Sequence, residues 1–402
     1  MGVVSNRALS AAAAFAPVQD FFFSSRYGER RGDPTICDFT FGNPHEFPLP
    51  GLVEAIRQHA VPRDQNWFAY KTSEPEPRAF LAQNLSAELG LSFGPDDIAL
   101  TAGAFGAIAL AFGLLLNPGD EVVIPRPGWF CYAPMLRLAN MVPVEAALSP
   151  DGFDIDLATL DAAIGPRTRM VVVNSPHNPT GRIYNKAELE AVANLLESAS
   201  ARIGHRIFLL SDEPYRRIRF DGRPFVSPAT VYPWTLATVY PWTLIDYSYG
   251  KVLLAPGQRI GYLALSPLMP DEDRIPLRDA LFTTQMALGW TFPNAVMQYA
   301  VPDLEGLTVD LDILSKRRSK LSGILEESGY VLLRPEGTFY LFARAPGGDG
   351  DALFHALADR DVFVMPGRIM NTPDHFRICL TANDEMIERS LPALREVGKA
   401  LG

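Results

Sequence analysis

DYSYGKVLLAPGQRIGY, residues 246–262, sets one lysine among small residues and follows it with an apolar run and Pro-Gly, with Arg259 eight positions on. The preceding TLIDYSYG is rich in β-branched and aromatic residues and reads as a strand, so Lys251 falls at a strand's carboxyl edge, where ligands gather in open α/β sheets. Ser248 and Gly250 leave space beside it. An amine in such a place can form a Schiff base with an aldehyde. Taken alone, the same Gly-Lys pair reads as a surface lysine in a turn.

The segments around it repeat one rhythm. DDIALTAG, DEVVIP, RMVVVNSP, RIFLLSDEP, TLIDYSYG and RIGYLALS read as strands, and amphipathic stretches such as KAELEAVANLLESASA lie between several of them. That alternation predicts an α/β fold: a three-layer α/β/α large domain with a mainly parallel sheet. After about residue 285 the pattern changes to long charged helices, then to the strands YVLL, TFYLFAR, VFVMPG and FRICLT. This predicts a smaller α+β domain. The expected division is 1–45 for an arm and part of the small domain, 46–285 for the large domain and 286–402 for the small one.

A chain of 402 residues, 48% of them hydrophobic, can bury a sizeable core and exceeds the length at which one core usually stops growing. Its net charge of -10, with no block of Lys or Arg that stands out, argues against a nucleic-acid partner. Cys37, Cys131 and Cys379 are isolated, and no Cys/His spacing suits a metal, so no metal site is expected. No stretch of the chain is read as a membrane helix, which takes ~18 apolar residues. The amino-terminal Ala-rich run is broken by Pro17 and reads as a loosely ordered arm. The expectation is a protein of a reducing, cytoplasmic compartment.

SYGKVLLAPGQRIG, 248–261, resembles in full the cofactor-attachment pattern of the class I and II aminotransferases, pyridoxal-phosphate enzymes of fold type I. Further stretches follow in that family's order, and the resemblance runs from about residue 38 to the end. It implies that Lys251 binds pyridoxal 5'-phosphate as a Schiff base. TAGAFGA, 101–107, ends a strand and opens a helix, so backbone N–H groups of Gly103, Ala104 and Phe105 can hold the phosphate, aided by Ser248 and Arg259. By resemblance, Trp129 of PRPGWFCY stacks on the pyridine ring. Asn178 of NSPHNPTG and Tyr215 of SDEPY reach the phenolic oxygen, and Asp212 faces the pyridine nitrogen, where a carboxylate favours the protonated ring. Arg377 of FRICLT anchors the substrate's α-carboxylate, with Asn178 beside it. Gly42 of FGNPHEF borders the substrate. Tyr70 matches a tyrosine that reaches the cofactor of a neighbouring subunit, although Pro75 and Phe80 depart from the family where Gly and Arg are usual. Asn174 reads equally well as a turn residue, and His177 as a polar loop residue.

The activity implied is transfer of an amino group from an L-amino acid to a 2-oxo acid, by a homodimer. Lyases, decarboxylases and oxidases of the same fold share these residues, as would a silent cofactor-binding regulator. A nicotinamide dehydrogenase is disfavoured by the absence of GxGxxG after a strand. The donor is open; Trp67, Phe68 and the arm's FFFSSRY hint at an apolar side-chain pocket, and a plain core or docking role serves as well. One oddity remains. ATVYPWTL at 229–236 recurs at 237–244, and only the second copy can run directly into IDYSYGK, so the first reads as a looped insertion.

Overall fold

The computed structural model describes residues 3–230, 240–289 and 292–402. The chain opens with helices α1 (Asn6–Phe23) and α2 (Arg26–Arg30), a short strand β1 (Cys37–Asp38), and helices α3 (Pro50–His59) and α4 (Pro75–Leu89). The predicted alternation follows: β2 (Ile98–Thr101), α5 (Gly103–Leu115), β3 (Glu121–Arg126), α6 (Tyr132–Leu138), β4 (Val142–Ala147), α7 (Leu157–Ala163), β5 (Thr168–Asn174), α8 (Lys186–Ile203) and β6 (Phe208–Asp212). Then come β7 (Thr243–Ser248), the single turn α9 (Tyr249–Val252), β8 (Gly261–Leu265), α10 (Asp271–Leu288), α11 (Ala295–Glu305) and α12 (Leu311–Glu327). The chain closes with β9 (Val331–Leu332), β10 (Tyr340–Arg344), α13 (Gly350–Ala358), β11 (Val362–Phe363), β12 (Met365–Pro366), β13 (His375–Cys379) and α14 (Asp384–Leu401).

Seven strands form one sheet in the order β2-β8-β7-β6-β5-β3-β4. All pairings are parallel except the two made by β8. Side-chain alternation sorts the sheet onto two cores: Leu263 and Leu265 of β8 pack with Ile108, Leu189 and Leu196, whereas Tyr262 and Ala264 pack with Leu81, Val301 and Leu304. Helices therefore cover both faces, as the sequence predicts. The smaller unit carries the antiparallel sheet β12-β13-β10-β9, and β1 pairs with β11 beside it.

Local signals explain where the site-bearing elements begin and end. Helix α8 starts on a reciprocal cap between Asn185 and Glu188 and stops at Gly204, which takes the left-handed conformation. Strands β6, β7 and β8 are buried along their whole length. With β8 reversed against both neighbours, β2 runs parallel to β7, so Thr101, Asn174, Asp212 and Ser248 finish at one edge.

Two expectations change. The amino-terminal segment is not a loose arm: α1 is an 18-residue helix, capped by Ser5, with Pro17 inside it and Val18 and Phe21 buried. Alanine's helix propensity carries the run through the proline, and packing along α6 supplies what an isolated helix lacks. The unexpected strand β4 is an edge strand carrying Pro143 and Glu145, which masked its periodicity. In the tandem repeat, Ala229 and Thr230 close a short turn, while Tyr240 and Trp242 of the second copy are buried and Thr243 begins β7. The looped insertion inferred for the first copy lies, beyond Thr230, outside the described residues.

Candidate active site

Lys251 lies in the turn α9, immediately beyond the carboxyl end of β7. Among the described residues its Nζ has no hydrogen bond or ion pair; the rings of Tyr215 and Phe339 lie 5.7 and 6.0 Å from it. The cavity around it, about 130 Å³, is walled by Ala104, Phe105, Trp129, Asp212, Ser248 and Arg259.

One end of this cavity is built from donors. Helix α5 begins at Gly103, whose φ of +70° is open to glycine, and a Cβ there would lie 2.9 Å from Arg259 Nη2. The guanidinium donates to the carbonyls of Ala102 and Pro256 at 2.9 Å each. Burial lowers its pKa from the usual arginine value. A cation held against the positive end of a helix is unfavourable unless an anion joins them. The free N–H groups of α5, Ser248 and Arg259 thus form a cradle whose chemistry suits a phosphate.

The other end is acidic. Asp212 ends β6 and is buried; Tyr132 donates its hydroxyl proton to Asp212 Oδ2, and Oδ1 has no partner. Directly across the parallel ladder stands Asp246 of β7, fully buried with neither carboxylate oxygen paired to a donor. Burial, then the charge of Asp212, holds Asp246 well above the usual carboxylate range. Burial raises Asp212 too, but Tyr132, Asp246 and Lys251 oppose that rise. The pair is therefore biased toward holding a proton, Asp246 more strongly than Asp212. Asn174 is more than a turn residue: its amide donates to the Asp212 carbonyl at 2.9 Å and accepts from the Asn178 N–H at 2.7 Å. His177 is buried, bonded to Thr180, and burial drops its pKa to about 3.

Trp129 stands between the two ends. Phe105 and Tyr132 meet it edge-on, at 4.6 and 5.2 Å, which fixes its ring plane. Above, Arg377 is buried, stacked 4.1 Å over Tyr340, and donates to Asn178 Oδ1 and the Thr40 carbonyl. Its Nε has no partner, which leaves a buried donor for an incoming carboxylate. Tyr215 donates to Tyr340 at 3.3 Å. Gly42 touches the same cleft, and a Cβ there would lie 2.8 Å from the Tyr340 hydroxyl.

The structure thus gathers Lys251, Gly103, Ala104, Phe105, Trp129, Asn178, Asp212, Tyr215, Ser248, Arg259, Arg377 and Gly42 around one cleft. Tyr70 is absent from it and fully exposed. Trp67 is elsewhere too, stacked on Tyr299 at 4.1 Å, and Phe68 is exposed, so neither lines a side-chain pocket here. Sequence reasoning missed Asp246 and Tyr132. An acid in the middle of the buried run TLIDYS was the available signal for the first.

The sequence pattern of the family described as aminotransferase class I and II matches residues 34–394. The chain belongs to this family. The aminotransferase is 31% identical over 385 residues to an aspartate/prephenate aminotransferase of Thermus thermophilus, covering 92% of this chain and 93% of that one. An aspartate aminotransferase of Rhizobium meliloti is 29% identical, with 93% and 91% covered. Among solved structures, an aminotransferase from Eubacterium rectale superposes with a TM-score of 0.88 at 28% identity over the whole of both chains. The aspartate aminotransferase of Thermus thermophilus with maleate gives 0.80 at 28% identity, over 99% and 100% of the two chains. The enzyme is an aminotransferase with a fold type I architecture. Among the described residues no helix is long and apolar enough to cross a membrane.

Proposed function

We propose that this aminotransferase binds pyridoxal 5'-phosphate through Lys251 and moves an amino group between an L-amino acid and a 2-oxo acid. The observation that carries the reading is the sorting of charge around an unpaired lysine, with a donor cradle at one end and a buried carboxylate at the other. Gly103, Ala104, Phe105, Ser248 and Arg259 would hold the phosphate, and the unpaired Oδ1 of Asp212 would face the pyridine nitrogen. Trp129 would lie against the ring, and Asn178 and Tyr215 would face the phenolic oxygen. When bound, the cofactor supplies a carbonyl for the amino group and an electron sink for the bond broken at Cα.

The chain's own groups do the rest. Arg377 grips the α-carboxylate, and its buried Nε gains the acceptor it lacks. That grip aims Cα at Lys251, whose amine removes the α-proton and later delivers one, as base and then acid. Tyr132, by donating to Asp212, favours that carboxyl's anionic form. By the resemblance, Tyr70, fully exposed in its own chain, would reach the phosphate held by a second copy, and the working unit would be a homodimer. Three free, buried cysteines fit a cytoplasmic enzyme.

The test is the visible absorption of the purified protein. A cofactor band should fade on adding an amino acid and return with a 2-oxo acid. No band, even after reconstitution with pyridoxal 5'-phosphate, overturns the reading.

A further inference from the structure

The cleft continues from Lys251 and Arg377 into a space of about 440 Å³ roofed by α1. Phe15, Val18, Gln19 and Phe22 line it, at the i, i+3, i+4, i+7 spacing that puts them on one helix face. Below them Phe41 meets Phe22 edge-on at 5.5 Å and Phe130 at 6.4 Å, and Phe15 stands 6.5 Å from Phe130. Gln19 and Asn43 are the polar side chains at the rim. Among the described residues of this chain the cations lining this space are Lys251 and Arg377, both engaged by the chemistry at Cα. Arg31 lies 3.9 Å over the Phe22 ring and is not among the lining residues.

The side chain of a bound amino acid, with its α-carboxylate on Arg377 and its Cα at Lys251, projects into this volume. Among the described residues of this chain no cation stands there to receive a second carboxylate once it leaves water, a costly exchange. An aromatic side chain would replace water with ring edges and faces. Resting on the transamination reading above, we infer that the preferred amino donor carries a large apolar side chain, with α1 as the element that selects it. This separates the chain from relatives named for aspartate, although it shares their fold.

The experiment compares kcat/KM of the holoenzyme for phenylalanine, leucine, alanine and aspartate with one 2-oxo acid. Phenylalanine should exceed aspartate at least ~10-fold, the discrimination typical of an apolar pocket. Phe22→Ala should lower the ratio of phenylalanine to alanine turnover ~10-fold, mainly through KM, and Phe22→Leu should restore part of it. Equal or better use of aspartate overturns the inference, all the more if Arg31→Gln abolishes it by removing the missing cation. A cofactor band that responds to no amino acid overturns the transamination reading instead. A response that favours aspartate overturns only the donor assignment.

Discussion

On one side of Lys251 the cleft ends in Asp212, Tyr132 and Asp246, buried side chains of a sheet edge and its adjoining helix, with Tyr132 bonded to Asp212 and Asp246 opposite it on the next strand. On the other it ends in Phe15, Phe22, Phe41 and Phe130, carried by a helix and by loops remote in sequence. The floor is polar and bound by hydrogen-bond directions, so each residue there has few substitutes. The roof is apolar, and shape rather than direction defines it, so many residues could serve. A cofactor common to a whole family calls for the first kind of construction. A substrate that differs from member to member calls for the second.

The comparison can be broken most severely at its centre. Lys251→Ala should lower turnover by at least ~10³-fold with every donor, because among the described residues no other amine lines the cleft to move the α-proton. A steady-state assay with phenylalanine and with aspartate checks this, and retained turnover would displace Lys251 from the mechanism. Next in size, Arg377→Gln should cost ~10–100-fold in kcat/KM, uniformly across donors, since it removes a charged grip that all of them share. A donor-dependent loss would place Arg377 in the roof's business instead of the floor's.

The smallest effect sharpens the account of the floor. Asp246 has a folded-state pKa raised by burial and by Asp212, so the folded state binds a proton that the unfolded chain has lost above about pH 4. Stability should therefore fall as pH rises from about 4 toward the folded-state value. Asp246→Asn removes that slope. Cofactor-free Asp246→Asn should melt a few degrees higher than the parent at pH 8 and lose the advantage near pH 4, as thermal scans at the two values would show. An unchanged pH dependence would mean that the carboxylate pair does not share a proton.

Much of this contrast was legible before any coordinates. Strand runs, the Gly103 turn and the spacing from Lys251 to Arg259 lie close together in sequence, and backbone geometry dictates their residue types. Arg377 required the resemblance, since an arginine in FRICLT means little until β13 is folded against β10. Asp246 was hidden because pairing between β6 and β7, not proximity along the chain, sets it opposite Asp212. The roof was hardest. Its FFF run is conspicuous, but only a folded α1 decides that Phe22 faces the cleft while Phe21 enters the core of the small unit.

The repeated ATVYPWTL has a consequence of a different order. Ala229 and Thr230 of the first copy hold the turn ahead of β7, and Tyr240 through Leu244 of the second lead into it. Excising residues 231–238 would leave ATVYPWTL once and keep every described residue of the segment. The two copies thus share the work of one, the first supplying the turn and the second the start of the strand.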